Sequence, residues 1–262
     1  MLRFSSRSME NPLLQKLRDG KVLVGTWINA LRDPLIMRVV GTAGFDYVFV
    51  DMEHSSITED VLSDMCLIAR DYGVTPIVRP ANPNNFQQNG RLLDIGAAGM
   101  IIPHVDDKAQ VEAIAASARF FNGGTRGYCG KTANSCFDKN SEEYLRRSDD
   151  NIILVAQFED SGAIAQADEI LSAPGIHMAI VGRGDLAHTM GVPGKQSDPR
   201  VAAEVEKVIA ACGRKNVAPG LLCNGVDEAK EWIAKGIRFI TYSNEISLLQ
   251  DGYGKALKAL KN

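Results

Sequence analysis

Two acidic side chains follow apolar runs in the second half of the chain. Glu159 comes directly after IILVAQF, and Asp185 closes the run HMAIVGRGD. Carboxylates placed in this way can hold a hard divalent cation, whose remaining positions would go to water and substrate. Each carboxylate could equally cap a helix or pair with a cation such as Arg183. Spacing alone does not choose between a metal site and these structural roles.

The first half of the chain offers a possible base and a possible anion binder. Asp51 and His54 stand three residues apart after an apolar run, so the carboxylate could orient the imidazole and make it a general base. The same pair could merely stabilise a loop. Arg79 follows TPIV and could bind a carboxylate or a developing enolate oxygen, or pair with a nearby acid. Arg126, in GGTRG, could approach a ligand or lie in an ordinary turn.

The other histidines stand alone in the sequence. His104 and His188 fall near the ends of apolar runs, and His177 opens one. An isolated histidine is more often hydrogen-bonded within the fold than catalytic. We therefore expect structural roles for all three, with His177 at the face opposite the site.

Short apolar runs alternate with amphipathic segments along the 262 residues. The runs are continuous, which is typical of buried parallel strands. Eight βα units in a chain of this length favour an α/β fold of the closed (β/α)8 barrel type over a doubly wound sheet, because no GxGxxG follows the first strand. The polar candidates fall where such strands end, at the face that carries barrel active sites. The predicted strands are 22–27, 45–51, 75–80, 100–105, 152–159, 177–182, 217–223 and 237–242.

The chain divides into a short extension and one domain. We expect an N-terminal extension and first helix over 1–20 and a single barrel over 21–262. The polar segment 121–150 interrupts the βα alternation, and a connection of this length in a compact domain is often functional.

Composition excludes several classes of protein. The net charge of -3 gives no basic excess to attract nucleic acid or anionic lipid. No apolar run is long enough for a membrane span, and the first residues lack a secretory pattern. Five cysteines without CxxC spacing argue against disulfides or zinc and fit reduced thiols in a cytoplasmic protein.

The order of the polar blocks resembles the HpcH/HpaI aldolase family, from about Gly25 to Leu257. That resemblance implies a (β/α)8 barrel whose last helix is exchanged between subunits, usually in a hexamer. It implies a metal-dependent carbon–carbon lyase that acts through the enolate of pyruvate or a related 2-oxo acid. The matching blocks are DMEH (51–54), VRP (78–80), GTRG (124–127), QFE (157–159) and GRGDL (182–186).

The resemblance also assigns roles to residues. Mg²⁺, Mn²⁺ or Co²⁺ would be bound by Glu159 and Asp185, and Arg79 would steady the enolate oxygen. His54, held by Asp51, would take part in proton transfer. Gln157 and Arg126 match family positions near the substrate, and we expect Arg183 and Gly184 to lie there as well.

The chain departs from the family pattern beside the predicted metal site. Arg183 replaces a proline in the GRGDL block, and Phe121-Asn122 replaces a proline pair. An added arginine could bind an extra carboxylate, as in siderophore-associated citrate synthases that condense oxaloacetate with acetyl-CoA. A citrate synthase is therefore the second hypothesis, and an inactive barrel that acts as a binding protein is the third.

Overall fold

The computed structural model describes residues 11–135, 137 and 141–261. Eight parallel strands form a closed barrel in chain order, with the first strand paired to the last. The predicted (β/α)8 barrel is confirmed, and each predicted strand overlaps an observed one. The strands are Leu23–Ile28 (β1), Tyr47–Asp51 (β2), Thr75–Arg79 (β3), Gly99–Ile102 (β4), Ile153–Phe158 (β5), Ile176–Val181 (β6), Ala218–Cys223 (β7) and Phe239–Asn244 (β8).

Helices follow the strands and run back along the outside of the barrel. Two short helices, and not one, lie between β5 and β6, and the segments 142–151 and 183–189 are also helical. The helices are Pro12–Arg18 (α1), Ile36–Ala43 (α2), Glu59–Asp71 (α3), Phe86–Asp94 (α4), Lys108–Ser117 (α5), Glu142–Asn151 (α6), Ser161–Ala165 (α7), Ala167–Ile170 (α8), Arg183–Thr189 (α9), Pro199–Lys215 (α10), Val226–Ala234 (α11) and Glu245–Lys261 (α12).

The barrel interior is filled by large side chains that point inward from alternate strand positions. Tyr47 stacks on Phe239 with ring centroids 4.3 Å apart, and its hydroxyl lies 2.8 Å from Thr241 Oγ1. A Cβ at Gly25 would lie 2.4 Å from Tyr47, and one at Gly220 would lie 2.5 Å from Phe239. The two glycines therefore make room for this aromatic pair, which packs the interior as in other barrels of this kind.

Helix α1 packs against the barrel interior. Its Leu13 and Leu14 are buried in the same apolar cluster as the inward side chains. Lys16 forms an ion pair with Asp46, which precedes β2, and Asp46 Oδ2 accepts the backbone N–H of Val24 at 2.9 Å. Residues 1–10 of the predicted extension lie outside the described residues.

The described part of the polar segment 121–150 lies at the N-terminal face of the barrel. It connects the end of α5 to the start of β5, and both lie at the face where the strands begin. Asp149 on α6 accepts the backbone N–H of Phe120 at 2.9 Å and that of Phe121 at 2.9 Å, so the segment is tied back to its own start. Its described part is therefore remote from the strand ends, contrary to the expectation of a functional connection.

Helix α12 leaves an apolar surface uncovered. After Glu245 no residue of this helix is buried, and Tyr253 and Leu260 are 72% and 85% exposed. Val24 on the outer side of β1 is 36% exposed, whereas every residue of β2 to β5 is buried. The outer surface at Val24 therefore lacks the cover that β2 to β5 have. No helix in the described part of the chain is long and apolar enough to cross a membrane.

Candidate active site

Polar side chains from successive strands meet at the C-terminal end of the barrel, as the sequence predicted. Asp51 ends β2, Arg79 ends β3, and Glu159 directly follows β5. Asp185 lies in the first turn of α9, four residues after β6 ends. This is the face at which barrels of this architecture carry their active sites.

Asp51 and Arg79 form a buried, two-point ion pair at the centre of this face. Arg79 Nε donates to Asp51 Oδ1 at 2.9 Å, and Arg79 Nη2 donates to Oδ2 at 2.7 Å. The guanidinium also packs near the rings of Phe49 and Trp27, at 5.2 and 5.8 Å. Burial alone would lower the pKa of Arg79, but Asp51, Glu53 and Glu159 outweigh it and raise that pKa. Arg79 is thus a fixed cation whose Nη1 has no partner among the described residues.

The expected Asp51–His54 pair is not formed through the imidazole. Asp51 Oδ1 accepts the backbone N–H of Glu53 at 3.0 Å and that of His54 at 3.4 Å. Because Arg79 holds both carboxylate oxygens, Asp51 orders the loop and does not orient the His54 ring. That ring is 61% exposed, and its Nε2 lies 3.9 Å from Glu53 Oε2. The structure therefore corrects the predicted role of Asp51 and leaves His54 at the mouth of the barrel.

Glu159 is a buried carboxylate whose two oxygens have different partners. Its Oε1 accepts Gln157 Nε2 at 2.6 Å, and its Oε2 accepts the backbone N–H of His104 at 2.8 Å. Burial raises the pKa of Glu159, the charge of Asp185 raises it further, and His104 and Arg79 lower it. A cation bound beside Glu159 would offset the repulsion that Asp185 exerts on its charge.

The donor set fits a divalent cation held by two protein carboxylates. The described residues contain no group of three or more His, Cys, Asp or Glu side chains that could hold a metal ion, so Glu159 and Asp185 would leave most positions open. Gln157 Oε1 is buried without a hydrogen-bond partner, which leaves an oxygen acceptor beside Glu159. Oxygen ligands with open positions suit a hard cation that also binds substrate.

The position of the Glu159 side chain requires a glycine at residue 182. A Cβ at residue 182 would lie 2.7 Å from Glu159 Oε1 and 3.1 Å from Gln157 Nε2. The φ of Gly182 is -79°, which any residue can adopt, so the constraint is space and not backbone conformation. The last residue before α9 thus lets the backbone pass directly beside the Glu159 carboxylate.

Three residues of the site were missed or underrated from the sequence. Glu53 lies 3.1 Å from Arg79 Nε and 3.0 Å from His104 Nε2, so His104 is part of the site and not an isolated structural histidine. Trp27, at the end of β1, lies against Arg79 with its Nε1 buried and unpaired. The sequence did contain a signal for these residues. All three follow or end apolar runs, as the predicted site residues do.

Arg126 lies away from the site, contrary to its predicted place near the substrate. Its Nη2 donates to Asp94 Oδ1 at 2.6 Å, and its guanidinium packs 4.6 Å from the Phe120 ring centroid. Asp94 ends α4, and helices that run back along a barrel end at the face where strands begin. Arg126 therefore fastens the start of segment 121–150 at the N-terminal face.

Arg183 is at the expected face but its guanidinium is already paired. Its Nη2 donates to the carbonyl of Leu222 at 2.7 Å and lies 2.7 Å from Glu228 Oε1. The side chain is buried, so it ties α9 to β7 and α11 and does not offer a free charge for an extra substrate carboxylate. Gly184 is exposed in the first turn of α9, where a Cβ would meet Gln196 Nε2 at 3.5 Å.

A fixed arginine and two carboxylates at the mouth of a closed barrel define an enzyme site that can stabilise negative charge on a substrate oxygen. The HpcH/HpaI aldolase/citrate lyase family model matches residues 24–251. The chain belongs to this family, and the expectation of an enzyme of the aldolase type is confirmed.

Known relatives agree over nearly the whole chain. A 2-keto-3-deoxy-L-rhamnonate aldolase of Shigella sonnei is 28% identical, covering 97% of this chain and 94% of its own. The crystal structure of an HpcH/HpaI aldolase from Desulfitobacterium hafniense superposes with a TM-score of 0.89 at 30% identity, covering 95% of this chain and 96% of that one. The citrate synthase SbnG superposes with a TM-score of 0.85 at 25% identity, covering 95% and 97%. Aldolases of the family are generally dependent on a divalent metal.

Proposed function

We propose that this aldolase makes or breaks a carbon–carbon bond beside the ketone of pyruvate or a related 2-oxo acid. The observation that carries the proposal is the buried Glu159 carboxylate, on which the charges of Arg79 and Asp185 act at the mouth of the barrel. A 2-oxo acid brings a carboxylate and a ketone oxygen, both of which such a site can bind. A 2-keto-3-deoxy sugar acid, the substrate class in the name of the Shigella relative, is the first to test.

The cation would be Mg²⁺, Mn²⁺ or Co²⁺, held by Glu159 and Asp185. When bound, it supplies Lewis-acid polarisation of the substrate ketone. Glu159 is positioned for this by Gln157 and by the backbone of His104. These hydrogen bonds fix the carboxylate before the cation arrives, which lowers the entropy that binding must overcome.

Arg79 stabilises the negative charge that develops on the substrate oxygen. Its Nε and Nη2 are bound to Asp51, which fixes the guanidinium plane and leaves the Nη1 hydrogens to donate. Trp27 and Phe49 line one side of the guanidinium and keep water from it. A preorganised donor in a partly dry site needs no rearrangement as charge forms.

His54 and Gly184 complete the proposed site. The exposed His54 imidazole beside Glu53 can exchange a proton with the substrate or with the incoming acceptor. The backbone N–H of Gly184, in the exposed first turn of α9, can donate to the substrate carboxylate. The acceptor aldehyde enters through the same open mouth.

A citrate synthase activity is the alternative, and the similarity to SbnG favours it. The sequence favoured a citrate synthase because Arg183 could bind an extra substrate carboxylate. In the structure Arg183 pairs with Glu228 instead. Binding of coenzyme A would separate a synthase from an aldolase. The inactive-barrel alternative is disfavoured by the buried Asp51–Arg79 pair, because a buried ion pair is costly to keep without a use.

We further propose that the protein assembles by exchange of α12 into a dimer-based homo-oligomer, with a hexamer as the expected state, and that it works in the cytoplasm. Exposed apolar residues on α12 and at Val24 support this assembly. The α12 helix of one subunit could pack on the surface at Val24 of a second subunit. Exposed apolar patches of this kind mark interaction surfaces.

The proposed aldolase activity is tested by the release of pyruvate from 4-hydroxy-2-oxo acids, coupled to lactate dehydrogenase. We expect NADH consumption that EDTA abolishes and Mn²⁺ or Mg²⁺ restores. Glu159→Gln should be inactive, whereas Glu142→Gln, a matched change on exposed α6, should behave as wild type. Activity that persists in EDTA, or in Glu159→Gln, would contradict the proposal.

A further inference from the structure

His104 holds an unusual position between two carboxylates of the site. Its backbone has a φ of 48°, a left-handed conformation that is uncommon for a residue other than glycine. Its ring Nδ1 lies 2.9 Å from Glu159 Oε2, and its Nε2 lies 3.0 Å from Glu53 Oε1. The strained backbone thus turns both ring nitrogens toward acids.

The ring stands where a cation would approach Glu159. A carboxylate oxygen has about two acceptor positions, and Oε2 already accepts the backbone N–H of His104 at 2.8 Å. The ring Nδ1 lies 2.9 Å from the same oxygen, at ion-pair distance. A bound Mg²⁺ lies about 2.1 Å from its oxygen ligands, and that space is filled by the imidazole.

We infer that His104 is a positioning residue that competes with the divalent cation for Glu159. The ring must leave Oε2 before that oxygen can ligate, and Glu53 keeps the displaced ring at the mouth through Nε2. In the absence of cation the same ring adds a contact to a buried carboxylate that already accepts Gln157 Nε2 and the His104 backbone N–H. This inference rests on the proposed metal site and adds to it a residue that sets the affinity of that site.

Metal affinity tests the inference directly. Mn²⁺ binding would be measured by electron paramagnetic resonance for the wild type, His104→Asn and His188→Asn. Asparagine tolerates the left-handed backbone and keeps the N–H that Glu159 accepts. His104→Asn should bind Mn²⁺ about threefold to tenfold more tightly, the range expected for losing one competing polar contact at a charged group. His188→Asn, on the exposed end of α9, should match the wild type.

A second measurement needs no change in the metal site. Titration of the wild type with Mg²⁺ should shift the NMR signal of the His104 ring, identified by its loss in His104→Asn. Equal or weaker Mn²⁺ binding by His104→Asn, or an unmoved ring signal at saturating Mg²⁺, would overturn the inference alone. Absence of Mn²⁺ binding by the wild type, or wild-type binding by Glu159→Gln, would overturn the proposed metal site as well.

Discussion

The substitution Gly182→Ala should disturb the predicted metal site by steric clash alone. The new Cβ would lie 2.7 Å from Glu159 Oε1, which is 0.7 Å short of an ordinary contact of 3.4 Å. The φ of -79° suits alanine, so no backbone strain is added. The Glu159 carboxylate cannot simply rotate away, because Gln157 and the backbone of His104 hold its two oxygens.

The size of the effect follows from this displacement. A shift approaching 1 Å in a ligand or catalytic group can cost about a hundredfold, so we expect Mn²⁺ affinity to fall by about tenfold to a hundredfold. Overpacking of a buried contact should also lower the free energy of unfolding by about 1–3 kcal/mol. The fall in Mn²⁺ affinity should therefore be larger than this modest loss of stability could cause, because the sample remains folded.

Mn²⁺ titration with urea unfolding in parallel separates these two effects. The control is Gly213→Ala in α10, where a Cβ meets nothing within 4 Å. That change should leave Mn²⁺ affinity unchanged and stabilise the helix by about 0.5–1 kcal/mol. Mn²⁺ affinity of Gly182→Ala within twofold of the wild type would refute the placement of Glu159 as a metal ligand.

Further predictions concern the ion pair, a buried histidine and assembly. Asp51→Asn leaves Arg79 buried without its partner and should cost about 3–5 kcal/mol of stability in urea unfolding; a loss under 1 kcal/mol would contradict the buried pair. Burial, with the charges of two nearby arginines, lowers the pKa of His177 from 6.5 to about 4. Between these values the unfolded chain binds a proton that the folded chain does not, so stability falls as pH falls. His177→Gln should lose less stability from pH 7 to 4.5, and an equal loss would argue against this cause. Leu257→Asp on α12 should shift the protein to smaller species in sedimentation, and an unchanged mass would exclude α12 from the interface.

The barrel and the face of the site were predictable because both depend on short-range sequence pattern. Continuous apolar runs identify buried parallel strands, and a polar residue at the end of such a run must lie at the barrel mouth. Asp51, Arg79 and Glu159 were found in this way, and the structure places each at that face. The helix over 142–151 was missed because its sequence, EEYLRRSDDN, carries few apolar residues.

Pairing at the site was not predictable, because it depends on which side chains reach each other across strands. Asp51 is closer to His54 in sequence, yet Arg79 on the next strand takes its carboxylate. Arg183 meets Glu228 from α11, the helix that follows the next strand. His104 was assigned a structural role because nothing in the sequence shows that its ring faces two carboxylates.

The most direct test of the central claim is exchange of the pyruvate methyl protons in D2O, followed by NMR. With Mn²⁺ or Mg²⁺ the wild type and Glu142→Gln should exchange these protons, because the site stabilises charge on the ketone oxygen as a methyl proton leaves. EDTA or Glu159→Gln should stop the exchange. Exchange that continues without metal, or that Glu159→Gln retains, would contradict the account; no exchange under any condition would exclude pyruvate and turn attention to oxaloacetate with acetyl-CoA.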